Sequence, residues 1–464
     1  MKTSATLKFL YLSFILFPLS FFLLSCGDSG TGSNNGSTSI SGRVMLEGQS
    51  DHSGVTVSLY APMELDTALV RINQQYPNIG VQISQETEFD HREHTAVASA
   101  TTAADGSWNI NNVPQGAYNV VAEHDLWGWQ YIHDMNDSNT GNINLNKQEF
   151  TGIYLNQAIN FQDTFIEIND NTTFDRNSQL TISGVNFLVF TDDNLSLTIR
   201  GAVNIADNSK LYIFTKANNE NCKVIFDTIN NLQVRNLLVL NTLEISIIGG
   251  NFSVRNSIFF NSEDIALKIS RADGAVDNCL FKNSRTGTNF NIATDSGCRQ
   301  SIFYNNGHDV EIFGATNFLL SNNMFSNSNL NTELKTSDGL VHHNSFEFSD
   351  TNVVTLGESD LRVHTNDFRT NNINIDLRQF SHAQPSIRLT ANWNNFRNTN
   401  GFHIKLGQDT ARETVHAENN YWGTTSEAFI TSKILDRDDD GRLERVIFMP
   451  FQSTTIDSSG INLN

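Results

Sequence analysis

Cysteine, proline and basic side chains are all scarce in this chain. It has 4 Cys and 6 Pro in 464 residues, with 30 Lys and Arg against 50 Asp and Glu. So few cysteines cannot make a disulfide-dense scaffold, and no Cys-x-x-Cys pair is available for metal or redox chemistry. Low proline and an ordinary 29 Gly exclude a collagen-like or Pro-rich chain. The net charge of −20 excludes a nucleic-acid partner, which needs a basic surface. It also disfavours a polyanionic substrate unless a local basic strip forms. No Gly-x-Ser-x-Gly elbow, phosphate loop or dinucleotide fingerprint occurs. Long helical stripes are missing from residue 155 onward, so the bulk of the chain is not built on helices.

Phenylalanine, in contrast, is abundant at 32 residues, and it recurs with a period. Four-residue blocks end at Phe259, Phe281, Phe303 and Phe325, with looser copies at Phe346, Phe368 and Phe396; the steps are 22, 22, 22, 21, 22 and 28 residues. A period of this length marks a solenoid, a propeller or an array. Between the rings the apolar residues alternate in short runs, such as Val310 and Ile312, or Ile373, Ile375 and Leu377. That is strand periodicity. Two or three short strands fill each turn, and turns must stack because one alone cannot bury its apolar face. Stacked strands lie about 4.8 Å apart. Residues one period apart therefore sit above one another, which predicts an internal Phe ladder. Asn261, Asn283, Asn305 and Asn327, two places after each ring, predict an asparagine ladder at a corner, where Asn tolerates the left-handed conformation.

This pattern resembles the right-handed parallel β-helix of pectate lyases and many bacterial surface proteins, over roughly residues 155–450, and the solenoid domain with its closing segment is expected over 155–464. The ending Asn419-Asn420-Tyr421-Trp422-Gly423, then Asp436 to Asp440, then Pro450, resembles the closing segment of bacterial β-helix lipoproteins. Residues 39–131 differ in composition. Thr102-Ala103-Ala104-Asp105-Gly106-Ser107-Trp108 and Val113-Pro114-Gln115-Gly116-Ala117-Tyr118 carry Asp-Gly and Pro-x-Gly turns between alternating strands. They resemble the carboxypeptidase regulatory-like (transthyretin-like) domain, which implies a small antiparallel β-sandwich with a structural or adhesive role. The stretch 61–98 is longer than that family's, with a short helix expected over Leu65 to Gln75. Residues 132–154 read as a connector. The expected fold is therefore all-β: a small antiparallel β-sandwich, then a right-handed parallel β-helix solenoid.

The first 26 residues have Lys2 and Lys8 before an apolar stretch, the form of a signal peptide. Leu23-Leu24-Ser25-Cys26 resembles a bacterial lipobox, which implies lipidation at Cys26 and attachment to the outer membrane or cell surface. Residues 27–38 are a Gly/Ser/Asn tether. Cys222, Cys279 and Cys298 read as buried thiols; the repeat register demands no Cys279–Cys298 bridge.

Candidate sites carry weaker signals. Asp90-His91-Arg92-Glu93-His94 gathers metal-type ligands without metal-site spacing and reads as a solvated loop. Asp436, Asp438 and Asp440, followed by Gly441, match the start of a calcium loop, but Ile447 stands where a bidentate Glu belongs. No motif requires another cofactor. Arg255, Asp277, Arg299, Ser321, His342 and His364 lie four places before successive rings and predict a surface stack. Glu311 and Glu333 are also 22 apart, and like carboxylates one coil apart repel unless a cation intervenes. With Lys335, Asp376 and Arg378 they form the candidate catalytic groove. Polysaccharide lyases of the family use acidic calcium ligands and a Lys or Arg base, but no family motif maps onto these residues. The leading expectation is a lipid-anchored, noncatalytic protein that binds glycans or cell-envelope components; a polysaccharide lyase, hydrolase or epimerase is the alternative.

Overall fold

A computed structural model describes residues 37–215, 221–241, 244–379, 386–397 and 400–463. Cys26, the targeting segment and nearly all of the tether lie outside them. The chain is all-β: small, mainly antiparallel sheets at the N-terminal end, then a parallel β-helix of about 12 turns.

Each turn of the regular region is laid out by three strands. In the turn holding Phe281 these are a short strand Leu280–Lys282, a long strand Thr286–Asn291 and a third strand Gly297–Arg299. Each pairs in parallel with its copy one turn away: Phe281 pairs with Phe303, Thr288 with Val310, and Cys298 with Leu320. The expected ring ladder is present. Phe303 is fully buried and stacks on Phe281 at 4.9 Å and on Phe325 at 5.0 Å. The longer step to Phe396 leaves the pairing intact, and Trp422 adds a final rung at 4.8 Å.

The short strand is short because its two ends are corners. Residues three before the rings, and two after those from Phe259 to Phe368, are left-handed, as at Asn278 (φ 52°) and Asn283 (φ 54°). Asn adopts this conformation at less cost than other side chains because its short amide bonds locally. The amides also stack: Asn305 Nδ2 donates to Asn283 Oδ1 at 2.8 Å. A second, fully buried ladder runs two places before the rings, through Asn323, Asn344, Asn366, Asn394 and Asn420. Asn366 Oδ1 accepts from the Asn344 backbone N–H at 3.0 Å, while Asn344 Nδ2 donates to Leu320 O at 3.0 Å. Each amide thus satisfies backbone groups that a corner would otherwise strand away from water. Cys279 and Cys298 are buried thiols, and Cys222 is buried as well.

The N-terminal sandwich has one sheet of Ser107–Pro114, Ser37–Leu46 and Asn139–Leu145, and another of Ala98–Thr101, Thr56–Tyr60, Tyr118–His124 and Gly128–Met135. Val44, Val57, Leu59, Trp108 and Val120 fill the space between them. Asn139–Leu145 pairs in parallel with the first strand. The sandwich therefore runs past residue 131, and the segment expected as a connector is strand up to Lys147–Tyr154, which opens the parallel ladder.

The long insertion in the sandwich clamps it to the solenoid. Its helix Thr67–Gln75 lies within the expected span and is capped by the Asp66 carboxylate. Leu69, Ile72 and Ile79 bury against Ile258, Leu280, Ile302 and Met324, the outward residues of successive short strands. Gly80 donates its N–H to Gln300 O at 2.7 Å, and a Cβ there would lie 2.7 Å from the Ile302 side chain. Glu88 forms a buried ion pair with Lys282. Residues Asp90 to His94 are a solvated loop only in part: Glu93 and His94 are exposed, but Asp90 and His91 are buried. Asp90 holds Arg92, which donates to Thr215 O at 2.7 Å and lies 4.7 Å over the Phe214 ring. The outward Phe187, Tyr212 and Leu238 of the early turns supply the apolar surface that draws this segment in. The chain's last residues return along the same face, with Ile456 bonded to Asn395 through both backbone groups and Gly460 N–H donating to Thr365 O.

Candidate functional site

Covering the short-strand face leaves the long-strand and third faces to carry function. On the long strand His308–Phe313 side chains alternate, so Val310 and Ile312 enter the core while Glu311 and Phe313 face out. The pairing sets Glu311 beside Glu333 and Phe313 beside Lys335. Two carboxylates are thus held about 4.8 Å apart, one coil spacing. Each carboxylate has its own polar partner that offsets the repulsion. His308 Nδ1 lies 2.6 Å from Glu311 Oε1, and Lys335 Nζ lies 2.6 Å from Glu333 Oε2. The other Glu311 oxygen accepts from Asn289 Nδ2 at 3.0 Å. The hydrogen bond to His308 holds the Glu311 carboxyl below its usual range, and the same bond raises His308.

Asp376 and Arg378 stand apart from this group. Glu333 pairs with Val354, and only Val354 with Asp376. Two coil spacings, about 10 Å, therefore separate the carboxylates. Val354 is buried between them with Leu330 and Leu356. Asp376 has its own partners, Arg378 at 2.8 Å and Lys405 at 3.8 Å. The five residues grouped from the sequence form two clusters rather than one groove.

The third face carries the expected stack in register. Arg299 binds Asp277 through two hydrogen bonds of 2.7 and 3.0 Å, and Arg255 approaches the same carboxylate at 3.6 Å. His342 stacks over His364 at 5.4 Å, and its Nδ1 lies 2.7 Å from that of His343. Burial, helped by its imidazole neighbours, pushes His342 down to about 4.

At the closing segment the three aspartates turn to different partners. Asp436 accepts from the backbone N–H of Asp438 at 2.9 Å and of Val446 at 2.8 Å. Asp438 pairs with Arg445 at 3.2 Å, and Asp440 with Arg442 at 2.7 Å. Bonds from Arg442 hold Asp440 at about 2. Among the described residues, the donors that do converge are His308, Glu311 and Glu333, whose ligand atoms all lie within 4.8 Å of one another. The sequence pairs the two glutamates; it misses His308, because strict alternation would put residues 308 and 311 on opposite sides and only the corner at the strand's start brings them together.

Comparison with protein-family models finds no match, and a search of curated proteins finds none either.

Proposed function

We propose that this is a lipid-anchored bacterial envelope protein, held at the outer membrane or cell surface, whose solenoid binds glycans without turning them over. The observation that carries the reading is Phe313. Phe313 is 43% exposed on a face whose other outward positions are mostly polar, the buried Leu330, Val354 and Leu356 patch apart. Lys335 lies beside it in register on one side and Asn291 on the other. A sugar offers an apolar ring face and a rim of hydroxyls. An exposed aromatic surface bordered by amide, ammonium and carboxylate groups complements both. The same face gives less support to a lyase or hydrolase, because Glu333 and Asp376 already hold a Lys and an Arg and stand about 10 Å apart. Calcium at Asp436, Asp438 and Asp440 stays within the proposal only if those carboxylates release their backbone and Arg partners.

Full-length protein on a glycan array is expected to retain a restricted set of polysaccharides. Phe313→Ala should weaken retention about tenfold, the loss of roughly 1.4 kcal/mol of stacking. Release of shortened or unsaturated sugars from a retained glycan would replace this reading with the enzymatic one. The anchor rests on the Leu-Leu-Ser-Cys junction at Cys26. A palmitate analogue should label wild type and not Cys26→Ala; equal labelling would remove the anchor, which one lipid-bearing terminus otherwise supplies.

A further inference from the structure

The geometry points to a divalent transition-metal site, of the zinc class, formed by His308, Glu311 and Glu333 on the long-strand face. The site joins two adjacent turns. His308 and Glu311 come from one strand, and Glu333 from the next, fixed beside Glu311 by parallel pairing. Their ligand atoms lie within 4.8 Å of one another before any metal is considered. Tetrahedral zinc with bonds of about 2.0–2.2 Å needs ligand atoms roughly 3.3 Å apart. The His308–Glu311 contact of 2.6 Å must open by less than 1 Å, and the others need only draw inward. These are side-chain rotations on a rigid ladder, so the backbone does not have to move.

The donor set decides which ion. One imidazole nitrogen with two carboxylates is a borderline set that favours zinc over calcium, which takes six to eight oxygens. Asn289 donates to the second oxygen of Glu311 at 3.0 Å, which orients that carboxylate as outer partners of metal ligands do. Lys335 sits on Glu333 and now supplies the charge that a metal would bring. It is 34% exposed at its side chain, so its ammonium can swing into solvent when the ion arrives. Three protein ligands would leave a fourth position open to water or to a hydroxyl. The inference stands independently of the glycan reading, because it concerns the ion alone.

Titration of the full-length chain with zinc chloride tests it. Wild type should bind one zinc ion that His308→Ala and Glu333→Gln each weaken at least tenfold, with calcium and magnesium chloride failing to compete at equal concentration. Cobalt(II) should give wild type a tetrahedral visible absorption band that His308→Ala loses. His308 is half-buried and Glu333 nearly buried, but both substitutions leave the core side of the strand untouched, and unchanged thermal unfolding of the apo variants confirms that they fold. Equal zinc binding by wild type and both variants would overturn the proposal, since the ion would then lie elsewhere, as on the His342, His343 and His364 cluster. Calcium competing as well as zinc would overturn the zinc assignment.

Discussion

Single residues in this molecule are set by what their column in the stack requires. The corner positions show it: Asn recurs there, as at Asn256, Asn278, Asn283 and Asn305, but Ile292 (φ 53°) and Trp393 (φ 60°) occupy left-handed corners with large side chains. Asp309 is a sharper case, because it is fully buried and has no basic partner among its hydrogen bonds. Asn306 at 2.8 Å, Ser328 at 2.7 Å and Asn331 at 2.6 Å surround its carboxyl. Burial raises it from 3.8 to about 7 despite those bonds. A carboxyl raised in the folded state holds a proton that the unfolded chain has lost. Stability contributed by the neutral acid is thus complete below about pH 4 and is lost as pH climbs through about 7. A tenfold difference in proton affinity between folded and unfolded chain is worth about 1.4 kcal/mol, so the full loss is on the order of 4 kcal/mol. Asp309→Asn keeps a neutral group with a donor where the acid carries its proton. In urea unfolding at pH 5 and pH 8, wild type should lose several kcal/mol relative to the variant. Parallel behaviour at both pH values would mean that Asp309 is ionised throughout.

At the scale of the element, the ring ladder is readable from the chain because a buried ring cannot shift by one residue without turning outward. The same logic makes Glu311 and Glu333 neighbours. The buried amide ladder through Asn323, Asn344, Asn366, Asn394 and Asn420 is as regular in the sequence, but Asn there reads equally well as a surface corner. Only the position of the strand relative to the core separates the two. His308 escapes for a related reason: its approach to Glu311 depends on a corner angle, which residue spacing does not encode. Spacing puts Asp376 and Arg378 in the columns of Glu333 and Lys335 but two periods further on, so grouping them with the glutamates takes a shared column for a shared site. The ladder makes a direct prediction. Phe303→Ala removes a ring from between two stacked partners at 4.9 and 5.0 Å and should cost about 3–5 kcal/mol. Because each turn supports the next, hydrogen exchange should rise in the turns of both Phe281 and Phe325, not in one alone. A change confined to residue 303's own turn, or no loss of stability, would contradict the stacking.

The whole molecule is held by contacts that no single segment announces. The alternation of Ile258, Leu280, Ile302 and Met324 with the rings gives no reason to expect apolar residues on the outside of the short strands, until the insertion between residues 61 and 98 is seen lying on them. An overlong loop in a small sandwich and an apolar stripe on a solenoid are two halves of one interface. Its polar anchor is the Glu88–Lys282 pair, whose side chains are only 5% and 6% exposed. Burial raises the Glu88 carboxyl even with the lysine beside it. Lys282 also lies 4.2 Å over the Phe260 ring. Lys282→Met would leave the Glu88 charge buried without its cation, a change that costs about 3–5 kcal/mol, whereas replacing both partners by neutral groups is often close to harmless. Calorimetry should therefore show wild type unfolding in one transition, with sandwich and solenoid coupled through the clamp. Lys282→Met should split it into an early sandwich transition and a later solenoid one, and Lys282→Met with Glu88→Gln should bring the two back together. If Lys282→Met unfolds in a single transition at the wild-type temperature, the ion pair does not join the two parts, and the apolar stripe alone holds them.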